Sequence, residues 1–471
     1  MKILYAASEC NPFIASGGLA DVAGSLPAAL QKQGAECRVI LPLYGTIDPK
    51  WRAKMAYCMN FSVPLGWRQQ YCGVFTLEHG GVTYYFLDNE YYFRRERIYS
   101  FFDDAERFAF FSKAILETLV HMDYEPDVIH CNDWQTALVP VYLNTYYRAV
   151  QKLAEAHTVF TIHNIQYQGQ FGLEIAGDVC GLPDWAISKV AYQDDLNMMK
   201  GALEECERIT TVSPTYAAEI LDPWYGHNLD AFLREKEWKL SGILNGIDTA
   251  SYNPARDPNL IAHYSAKDPA GKAECKTALQ REMGLPVSPD TPVLAMVSRL
   301  VDHKGFDLVR YAFEEMVSEG MQIVILGSGE EQYQQFFAAM QQKYPQQVAF
   351  TCGFIPSLSR RIYAGADLFL MPSQSEPCGL SQMIALRYGT LPIVRATGGL
   401  CDSITDWDSP TGGNGFTFQS YNAHDMLGAV RRALGLYGNR ELWPTAVQKA
   451  LKCDFSWKRS AKEYMELYLH I

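Results

Sequence analysis

Residues 3–41 read ILYAASECNPFIASGGLADVAGSLPAALQKQGAECRVIL, and this stretch decides the fold class. Its apolar run 3–7 predicts a buried strand, and the spacing of apolar residues over 19–33 predicts a helix that ends at Gly34. Between them, Gly17-Gly18 predicts a tight turn, and the apolar run 37–41 predicts the next strand. Strand, helix and strand in this order are typical of a parallel sheet covered by helices. The sequence therefore predicts an α/β protein.

The same alternation continues along the chain in two series, which predicts two domains. Further strands are predicted at 128–130, 158–162 and 209–212, and then at 293–297, 322–326, 349–352, 367–371 and 391–394. The 471 residues are too many for one ordinary hydrophobic core. The alternation is suspended after Asn245. We therefore predict a first domain over 1–245, a second over 246–453 and, over 454–471, a helix that packs back on the first domain.

Composition and charge exclude several classes of protein. Hydrophobic residues make up 48% of the chain and charged residues 20%, as in a globular protein. No apolar run reaches the roughly 18 residues of a membrane span, and Ser8 and Glu9 interrupt the first run too early for a signal peptide. We therefore expect a cytoplasmic protein with no membrane partner. The net charge of −12 argues against nucleic acid, and the 12 cysteines, without a C-x-x-C pair, argue against a disulfide frame and a zinc site.

Two glycine pairs near opposite ends of the chain share one local pattern. Gly17-Gly18 and Gly398-Gly399 each begin a Gly-Gly-Leu-x-Asp frame between a strand-like and a helix-like run. Glycine lacks the Cβ that keeps a ligand from the main chain, and a helix N-terminus offers unpaired N–H groups. One interpretation is therefore that phosphate or sugar oxygens meet bare backbone at both turns. The alternative is that each pair only makes a tight turn.

Two cations and a carboxylate follow predicted strands of the second series. Arg299 and Lys304 come directly after the run 293–297, and Glu376 comes after the run 367–371. Fixed cations at this place suit a diphosphate whose charge must be balanced as it departs, and a carboxylate suits sugar hydroxyls. The plainer alternatives are a surface charge pair and an acidic residue that favours a helix dipole.

A set of motifs in fixed order resembles the family of bacterial glycogen synthases and plant starch synthases over essentially the whole chain. These enzymes are retaining glucosyltransferases that extend α-1,4-glucan from ADP-glucose. The motifs are SGGLADV at 16–22, DDAERF at 103–108, NDWQT at 132–136, TIHN at 161–164, TVSP at 211–214, GILNGID at 242–248, SEPCGL at 375–380 and TGGL at 397–400.

The resemblance implies two Rossmann-like parallel-sheet domains facing each other across a cleft, the arrangement called GT-B. It implies ADP-glucose and α-1,4-glucan (glycogen) as substrates, and neither a metal nor a cofactor. Arg299 and Lys304 match the positions that hold the donor pyrophosphate, and Glu376 matches the position that orients the donor sugar. His163 matches the active-site histidine, whose backbone carbonyl lies near the anomeric carbon.

Further positions are assigned by the same resemblance. Those for catalysis and donor binding are Asp21, Ser16, Gly17, Gly18, Asn245, Ser373, Cys378, Gly379, Leu380, Thr397, Gly398 and Gly399. The candidates on the acceptor side are Asp133, Trp134, Tyr167 and Gln168. Core packing is an equally good explanation for Trp134 and Tyr167, and His130 is expected to be a structural group. The acidic pair Asp103-Asp104 is expected to be a solvated helix face or cap.

The expected chemistry is a front-face transfer in which the leaving phosphate accepts the proton of the acceptor hydroxyl. A retaining glycosidase would instead need two carboxyl groups about 5 Å apart, and the sequence singles out no such pair. A dinucleotide oxidoreductase is a poor alternative, because Gly327-Ser328-Gly329 lacks the third glycine of G-x-G-x-x-G.

One departure from the family pattern concerns Ala15. Family members usually carry lysine there, two residues before the glycine pair, so a positive charge is missing. We still expect an active enzyme with a weaker or altered donor preference. The alternatives are a synthase that uses UDP-glucose and a weakened glucan-binding or regulatory paralogue. The sequence leaves association into a homo-oligomer open.

Overall fold

The structure, a computed structural model, describes residues 1–471 and divides into two compact units. Unit 1 consists of Met1–Gly246 and Trp457–Ile471, and unit 2 consists of Ile247–Ser456. The sequence placed its domain boundary after residue 245, and the structure changes unit after Gly246. The acceptor and donor roles of the two domains stay predictions.

A nine-stranded sheet forms the centre of unit 1, in the order β12-β11-β7-β6-β1-β2-β5-β4-β3. All its strands run in one direction except β4. A second, antiparallel sheet has the order β8-β10-β9. The strands of unit 1 are β1 (Lys2–Ala6), β2 (Glu36–Pro42), β3 (Ala56–Leu65), β4 (Arg68–His79), β5 (Val82–Asp88), β6 (Val128–Asn132), β7 (His157–Ile162), β8 (Gln170–Gly172), β9 (Ala191–Tyr192), β10 (Asp195–Asn197), β11 (Arg208–Thr211) and β12 (Leu240–Gly242).

The centre of this sheet follows the predicted pattern. Residues Ile3 to Ala6 of β1 are completely buried, because β1 lies between β2 and β6 and is covered on both faces. The strands predicted at 3–7, 37–41, 128–130, 158–162 and 209–212 are confirmed with small shifts of their ends. The β3–β5 meander and the small sheet β8–β10 were not predicted.

The helices of unit 1 cover the sheet. They are α1 (Gly18–Lys32), α2 (Pro49–Arg52), α3 (Glu90–Phe93), α4 (Asp104–His121), α5 (Leu138–Tyr142), α6 (Ile175–Asp178), α7 (Asp184–Val190), α8 (Met198–Glu205), α9 (Pro214–Glu219) and α10 (Asp230–Glu235). Helix α1 buries Leu19, Val22, Leu26 and Leu30 on one face, and Gly34 follows it with φ +95°. A left-handed residue of this kind commonly ends a helix, as predicted from the sequence.

The expectation for Asp103-Asp104 was wrong in part. Asp104 is 5% exposed, and its carboxylate lies 2.5 Å from the guanidinium of Arg107, which is completely buried. Asp103 binds the guanidinium of Arg95 at 2.7 Å. Both charges are therefore paired within the protein. The helix sequence shows the spacing of three between Asp104 and Arg107 but not the partner of Asp103, because Arg95 lies outside α4.

Unit 2 contains one parallel sheet in the order β15-β14-β13-β16-β17-β18. All five strands predicted for the second series are confirmed. The elements are β13 (Val293–Val297), β14 (Gln322–Gly327), β15 (Val348–Cys352), β16 (Leu368–Met371), β17 (Leu391–Arg395) and β18 (Phe416–Phe418), with helices α11 (Gly271–Glu282), α12 (Phe306–Ser318), α13 (Glu331–Lys343), α14 (Pro356–Gly365), α15 (Ser381–Arg387), α16 (Gly398–Ser403), α17 (Ala423–Gly438) and α18 (Leu442–Leu451).

The last helix, α19 (Trp457–Leu469), belongs to unit 1 although it follows unit 2 in the chain. The Tyr468 hydroxyl lies 2.6 Å from Nδ1 of His130, whose Nε2 lies 2.6 Å from the Thr161 hydroxyl. Burial lowers the pKa of His130 to about 3. His130 is therefore a neutral structural group, as predicted, and it joins α19 to β6 and β7.

Candidate active site

In unit 1, the carboxyl ends of β1, β6 and β7 lie side by side at one edge of the sheet. Ligands of open parallel sheets bind at such an edge. The segment after β1 contains Glu9, that after β6 contains Asp133, and that after β7 contains His163. The topology therefore brings the sequence-predicted residues Asp133 and His163 to one edge, together with Glu9, which was not predicted.

Asp133 organises the segment that follows β7. Its backbone has φ +55° and ψ 178°, outside the left-handed helical region that aspartate tolerates and near a region that glycine populates almost alone. The carboxylate accepts the backbone N–H of His163 at 2.8 Å and that of Asn164. Burial raises the pKa of Asp133 to about 7, against the lowering effect of these two hydrogen bonds. Asp133 therefore holds the backbone of the TIHN motif in place.

The imidazole of His163 is fixed by one side-chain hydrogen bond. Its Nε2 donates to Oδ1 of Asn132 at 2.8 Å, and Asn132 is completely buried at the end of β6. Burial lowers the pKa of His163 to about 3, so the ring is neutral near pH 7. The ring therefore carries no charge that could act on a ligand near pH 7, and the role expected for the His163 carbonyl stays a prediction.

The pair Gly17-Gly18 in unit 1 offers less free backbone than the sequence interpretation of a ligand-binding turn assumes. One oxygen of the Glu9 carboxylate, Oε2, accepts the N–H of Ser16 and, at 3.2 Å, the N–H of Gly17. A Cβ on Gly18 would meet no atom within 4 Å. The N–H of Gly17 is therefore already bound within the protein, and the first backbone N–H that is free for a ligand is that of Gly18.

Asp21 lies one turn into α1 and is also held by a side chain. Its carboxylate accepts the Asn11 amide at 2.7 Å, and burial raises the pKa of Asp21. Asn245, after β12, is 5% exposed, and its amide oxygen has no hydrogen-bond partner. Such an orphaned acceptor is unusual in a folded protein.

The three aromatic and amide candidates for the acceptor side differ in their exposure. Tyr167 is 52% exposed and offers a ring face to solvent. Trp134 is buried against Phe108, with ring centroids 5.1 Å apart. Gln168 is buried and its amide binds Asn197 and two backbone carbonyls. Of these three residues, only Tyr167 has a side chain exposed to solvent.

In unit 2, Lys304 and Glu376 form an ion pair. Lys304 Nζ lies 2.6 Å from Glu376 Oε2, and their side chains are 18% and 9% exposed. The Ser373 hydroxyl donates to the same carboxylate oxygen at 3.1 Å. Arg299, in contrast, is exposed, and its guanidinium makes no hydrogen bond or ion pair, although its backbone carbonyl accepts from Ser298 and Val301. The site therefore has one paired and one available cation.

Backbone contacts set the position of Lys304 against the loop that contains Glu376. Gly305 has φ +80°, and a Cβ there would lie 2.0 Å from the carbonyl oxygen of Pro372. The N–H of Gln374 donates to the carbonyl of His303 at 2.9 Å. No residue larger than glycine fits at 305, so the close approach of the two loops depends on it.

The second glycine pair serves packing within unit 2. A Cβ on Gly398 would lie 2.0 Å from the Glu376 carbonyl oxygen, and one on Gly399 would lie 2.1 Å from that of Cys378. The N–H of Gly399 donates to the carbonyls of Glu376 and Pro377, both at 3.1 Å. The bare-backbone interpretation is therefore wrong for Gly399. The pair brings the start of α16, after β17, against the Glu376 loop.

The remaining predicted donor residues lie in these same loops. Cys378, Gly379 and Leu380 connect Glu376 to α15, and Gly379 has φ +71°. Thr397 is completely buried immediately before α16. The loops follow β13, β16 and β17, which are neighbours in the sheet, and the structure thus brings all the predicted residues of unit 2 to one edge.

Sequence reasoning missed Glu9 and the supporting role of Asn132. Both lie at the carboxyl end of a buried strand, which is the one signal that pointed to them. The structure contains no group of three or more His, Cys, Asp or Glu side chains arranged to hold a metal ion. None of its helices combines the length and the apolar character needed to cross a membrane.

Comparisons with known proteins show which family this chain resembles. Residues 2–235 match the family model of the starch synthase catalytic domain, and residues 284–449 match that of glycosyl transferases group 1. Glycogen synthases of Geobacillus thermodenitrificans and Geobacillus stearothermophilus are 51% and 50% identical to this chain, over 99% of this chain and 97% of each relative.

Solved structures agree with the sequence matches. The catalytic domain of starch synthase IV from Arabidopsis thaliana, bound to ADP and acarbose, has a TM-score of 0.92 and 36% identity, with 99% of this chain and 98% of that chain covered. Sucrose-phosphate synthase from Thermosynechococcus elongatus shares the fold alone, with a TM-score of 0.61 and 17% identity over 100% of this chain and 98% of that one. With two Rossmann-like parallel-sheet domains of the GT-B class and relatives matched over its full length, the chain belongs to the family of glycogen and starch synthases.

Proposed function

We propose that this glycogen synthase uses ADP-glucose as its donor and transfers glucose to the non-reducing end of α-1,4-glucan with retention of configuration. The observation that carries the proposal is the exposed guanidinium of Arg299, which has no ion-pair partner and lies in the segment after β13 that also contains Lys304, the partner of Glu376. Two fixed cations suit a diphosphate leaving group, and the Arabidopsis relative was solved with ADP and acarbose.

In the proposed reaction, the bond between the anomeric carbon and the diphosphate oxygen breaks, and the electron pair leaves with the diphosphate. Arg299 and Lys304 stabilise the negative charge that develops on it. The O4 hydroxyl of the glucan attacks the anomeric carbon from the same face, and its proton passes to the leaving phosphate. No metal or cofactor takes part in this scheme.

Glu376 and Lys304 must exchange partners for this reaction. In the structure the ammonium group and the carboxylate neutralise each other at 2.6 Å. We propose that a donor phosphate takes Lys304 while a sugar hydroxyl takes Glu376, with Ser373 retained on the carboxylate. Thr397 and the loop 378–380, with the glycine pair at 398–399, complete the donor contacts of unit 2.

Unit 1 supplies the other proposed contacts. The His163 carbonyl, near the anomeric carbon, stabilises an oxocarbenium-like sugar. The N–H of Asn164, which shares a peptide with this carbonyl, and the N–H of His163 both donate to Asp133 and hold the backbone in place. Asn245 offers its unpartnered amide oxygen. Further proposed contacts come from Asp21 and from residues 16–18, and Tyr167 is the best acceptor-side platform.

A second candidate donor is UDP-glucose, because Ala15 removes the cation that family members usually carry before the glycine pair. The test is an initial-rate comparison of ADP-glucose and UDP-glucose with glycogen as primer, in the presence of EDTA, with detection of the released nucleoside diphosphate. A kcat/KM at least about tenfold higher for ADP-glucose supports the proposal, since tenfold corresponds to about 1.4 kcal/mol in the transition state. The reverse preference would replace the proposed donor by UDP-glucose.

A further inference from the structure

Helix α1 begins without a cap from its own N-cap residue. Gly17 occupies the N-cap position and has no side chain. The Glu9 carboxylate, from the segment after β1, instead accepts the N–H groups of Ser16 and Gly17, which directly precede the helix. Negative charge is favourable at a helix N-terminus, so a remote carboxylate can fix the backbone where a local cap is missing.

The surroundings of Glu9 are unusual for a buried carboxylate. Glu9 is 4% exposed, and no Lys, Arg or His forms an ion pair with it. The carboxylates of Asp21 and Asp133 lie near enough to repel it. Burial raises the pKa of Glu9, and the hydrogen bonds from Ser16 and Gly17 oppose this effect. Keeping a carboxylate here costs free energy, as is common at functional sites.

We propose that Glu9 is a positioning residue for the nucleotide sugar: its carboxylate fixes the Ser16–Gly17 backbone and thereby presents the following N–H groups to the donor. The inference rests on the proposed function, in which residues 16–18 contact the donor.

Two backbone N–H groups at the start of α1 remain free for a ligand. Glu9 occupies the N–H groups of Ser16 and Gly17, and the N–H groups of Gly18 and Leu19 have no acceptor in the protein. Space at Gly18 is open. Glu9 therefore sets the direction in which Gly18 and Leu19 point, through hydrogen-bond acceptance rather than through contact with the donor.

Three substitutions of Glu9 separate hydrogen bonding from charge. Glu9→Gln keeps an oxygen acceptor at the same length and removes the charge. Glu9→Asp withdraws the acceptor by about 1.5 Å, one carbon–carbon bond, which takes it beyond hydrogen-bond distance of Gly17. Glu9→Ala removes the acceptor. The matched control is Glu155→Gln, because Glu155 is an exposed glutamate of unit 1 without a hydrogen bond or ion pair.

The experiment measures kcat, the KM for ADP-glucose and the KM for glycogen, together with the melting temperature and the hydrogen exchange of the segment 14–20. We expect kcat/KM for ADP-glucose to fall about 10- to 100-fold in E9A and E9D, as for a misplacement of about 1 Å, and to stay within about threefold in E9Q and E155Q. The KM for glycogen should not change, and the segment should exchange faster in E9A and E9D.

Several outcomes would overturn the inference. These are a KM for ADP-glucose and a kcat in E9A that match the wild type, a change confined to the KM for glycogen, or an E9Q variant as impaired as E9A. If E9A does not fold, the contrast between E9Q and E9D decides in the same way. A wild-type enzyme that is inactive with ADP-glucose would instead overturn the proposed donor.

Discussion

Replacement of Lys304 by methionine tests the proposed mechanism most directly. Methionine keeps an unbranched side chain but lacks the ammonium group that lies 2.6 Å from Glu376. Loss of one charge-stabilising group in a preorganised site costs about 2.7–4 kcal/mol in the transition state. We therefore expect kcat to fall by about 100-fold or more. Arg299→Ala should have an effect of the same order, because the second cation faces the same charge.

The same substitution should reduce the stability of unit 2 by less than it reduces turnover. Without Lys304, the Glu376 carboxylate keeps only the Ser373 hydroxyl at 3.1 Å and is 9% exposed. Breaking a fully buried pair costs about 3–5 kcal/mol and breaking a surface pair costs less than about 1. For this partly exposed lysine we expect about 2 kcal/mol, or a fall in melting temperature of about 4–8 °C for a domain of about 200 residues.

The assay is the initial rate of ADP release from ADP-glucose with saturating glycogen, at a temperature where all variants are folded. Lys343→Met is the matched control. Lys343 lies 2.6 Å from Glu314 in the same unit, but both side chains are 54% exposed. The nitrogen and oxygen of this pair are as far apart as those of Lys304 and Glu376, but the pair lies outside the candidate site. The control should therefore retain the wild-type rate and melting temperature.

A double-mutant cycle with Glu376→Gln shows whether the pair acts as a unit. If Lys304 and Glu376 orient one donor, the double variant should lose much less activity than the product of the two single losses. The proposed role of Lys304 would be refuted by a folded K304M enzyme whose kcat stays within about threefold of the wild type. Strictly multiplicative losses would refute the coupling.

Three further predictions concern other parts of the molecule. Ala15→Lys should lower the KM for ADP-glucose by about fivefold, since a partly exposed ion pair contributes about 1 kcal/mol; an unchanged KM would show that the site has been rebuilt around the missing lysine. Acidification from pH 6.5 to pH 5 should reduce the free energy of unfolding by about 2 kcal/mol through His130, because its pKa of about 3 in the folded protein lets only the unfolded chain take up the proton in this range. Chemical denaturation at both pH values should show that H130Q loses less free energy of unfolding on acidification than the wild type does. An equal loss in the two proteins would exclude His130 as the source of the pH dependence. Lys272→Met should lower the melting temperature of unit 2 by about 6–12 °C, for a loss of about 3 kcal/mol. The buried ammonium of Lys272 donates to three carbonyls and a hydroxyl, and these acceptors would lose their donor in the variant. An unchanged melting temperature in calorimetry would contradict this prediction.

Elements of the sheets could be predicted from the sequence because they are specified locally. The run 3–7 is apolar at every position, and such runs occur in strands that are covered on both faces. The turn and the helix after it follow from Gly17-Gly18 and from the apolar spacing of α1. The same reasoning places Arg299 and Glu376 after their strands, at the edge where ligands bind.

The contacts between distant segments could not be predicted in this way. Glu9 accepts N–H groups seven and eight residues away, and no periodic pattern marks this contact. Trp134 and Gln168 have the side chains of sugar-binding residues, but the surrounding fold buries both. Gly399 is a further example, because a glycine in the sequence fits either a ligand contact or close packing of the backbone. Only the structure, in which a Cβ on Gly399 would lie 2.1 Å from the Cys378 carbonyl oxygen, identifies close packing.

The C-terminal helix also has a consequence for the order in which the protein is built. Because α19 completes unit 1, all of unit 2 is synthesised before unit 1 has its last element. Unit 2 begins and ends at adjacent points, since the N–H of Ile247 donates to the carbonyl of Phe455 at 2.8 Å, so it can close on itself during translation. Until Tyr468 has been synthesised, Nδ1 of His130 lacks the hydroxyl that lies 2.6 Å from it in the folded protein, so unit 1 gains its full set of contacts only after unit 2 has been made.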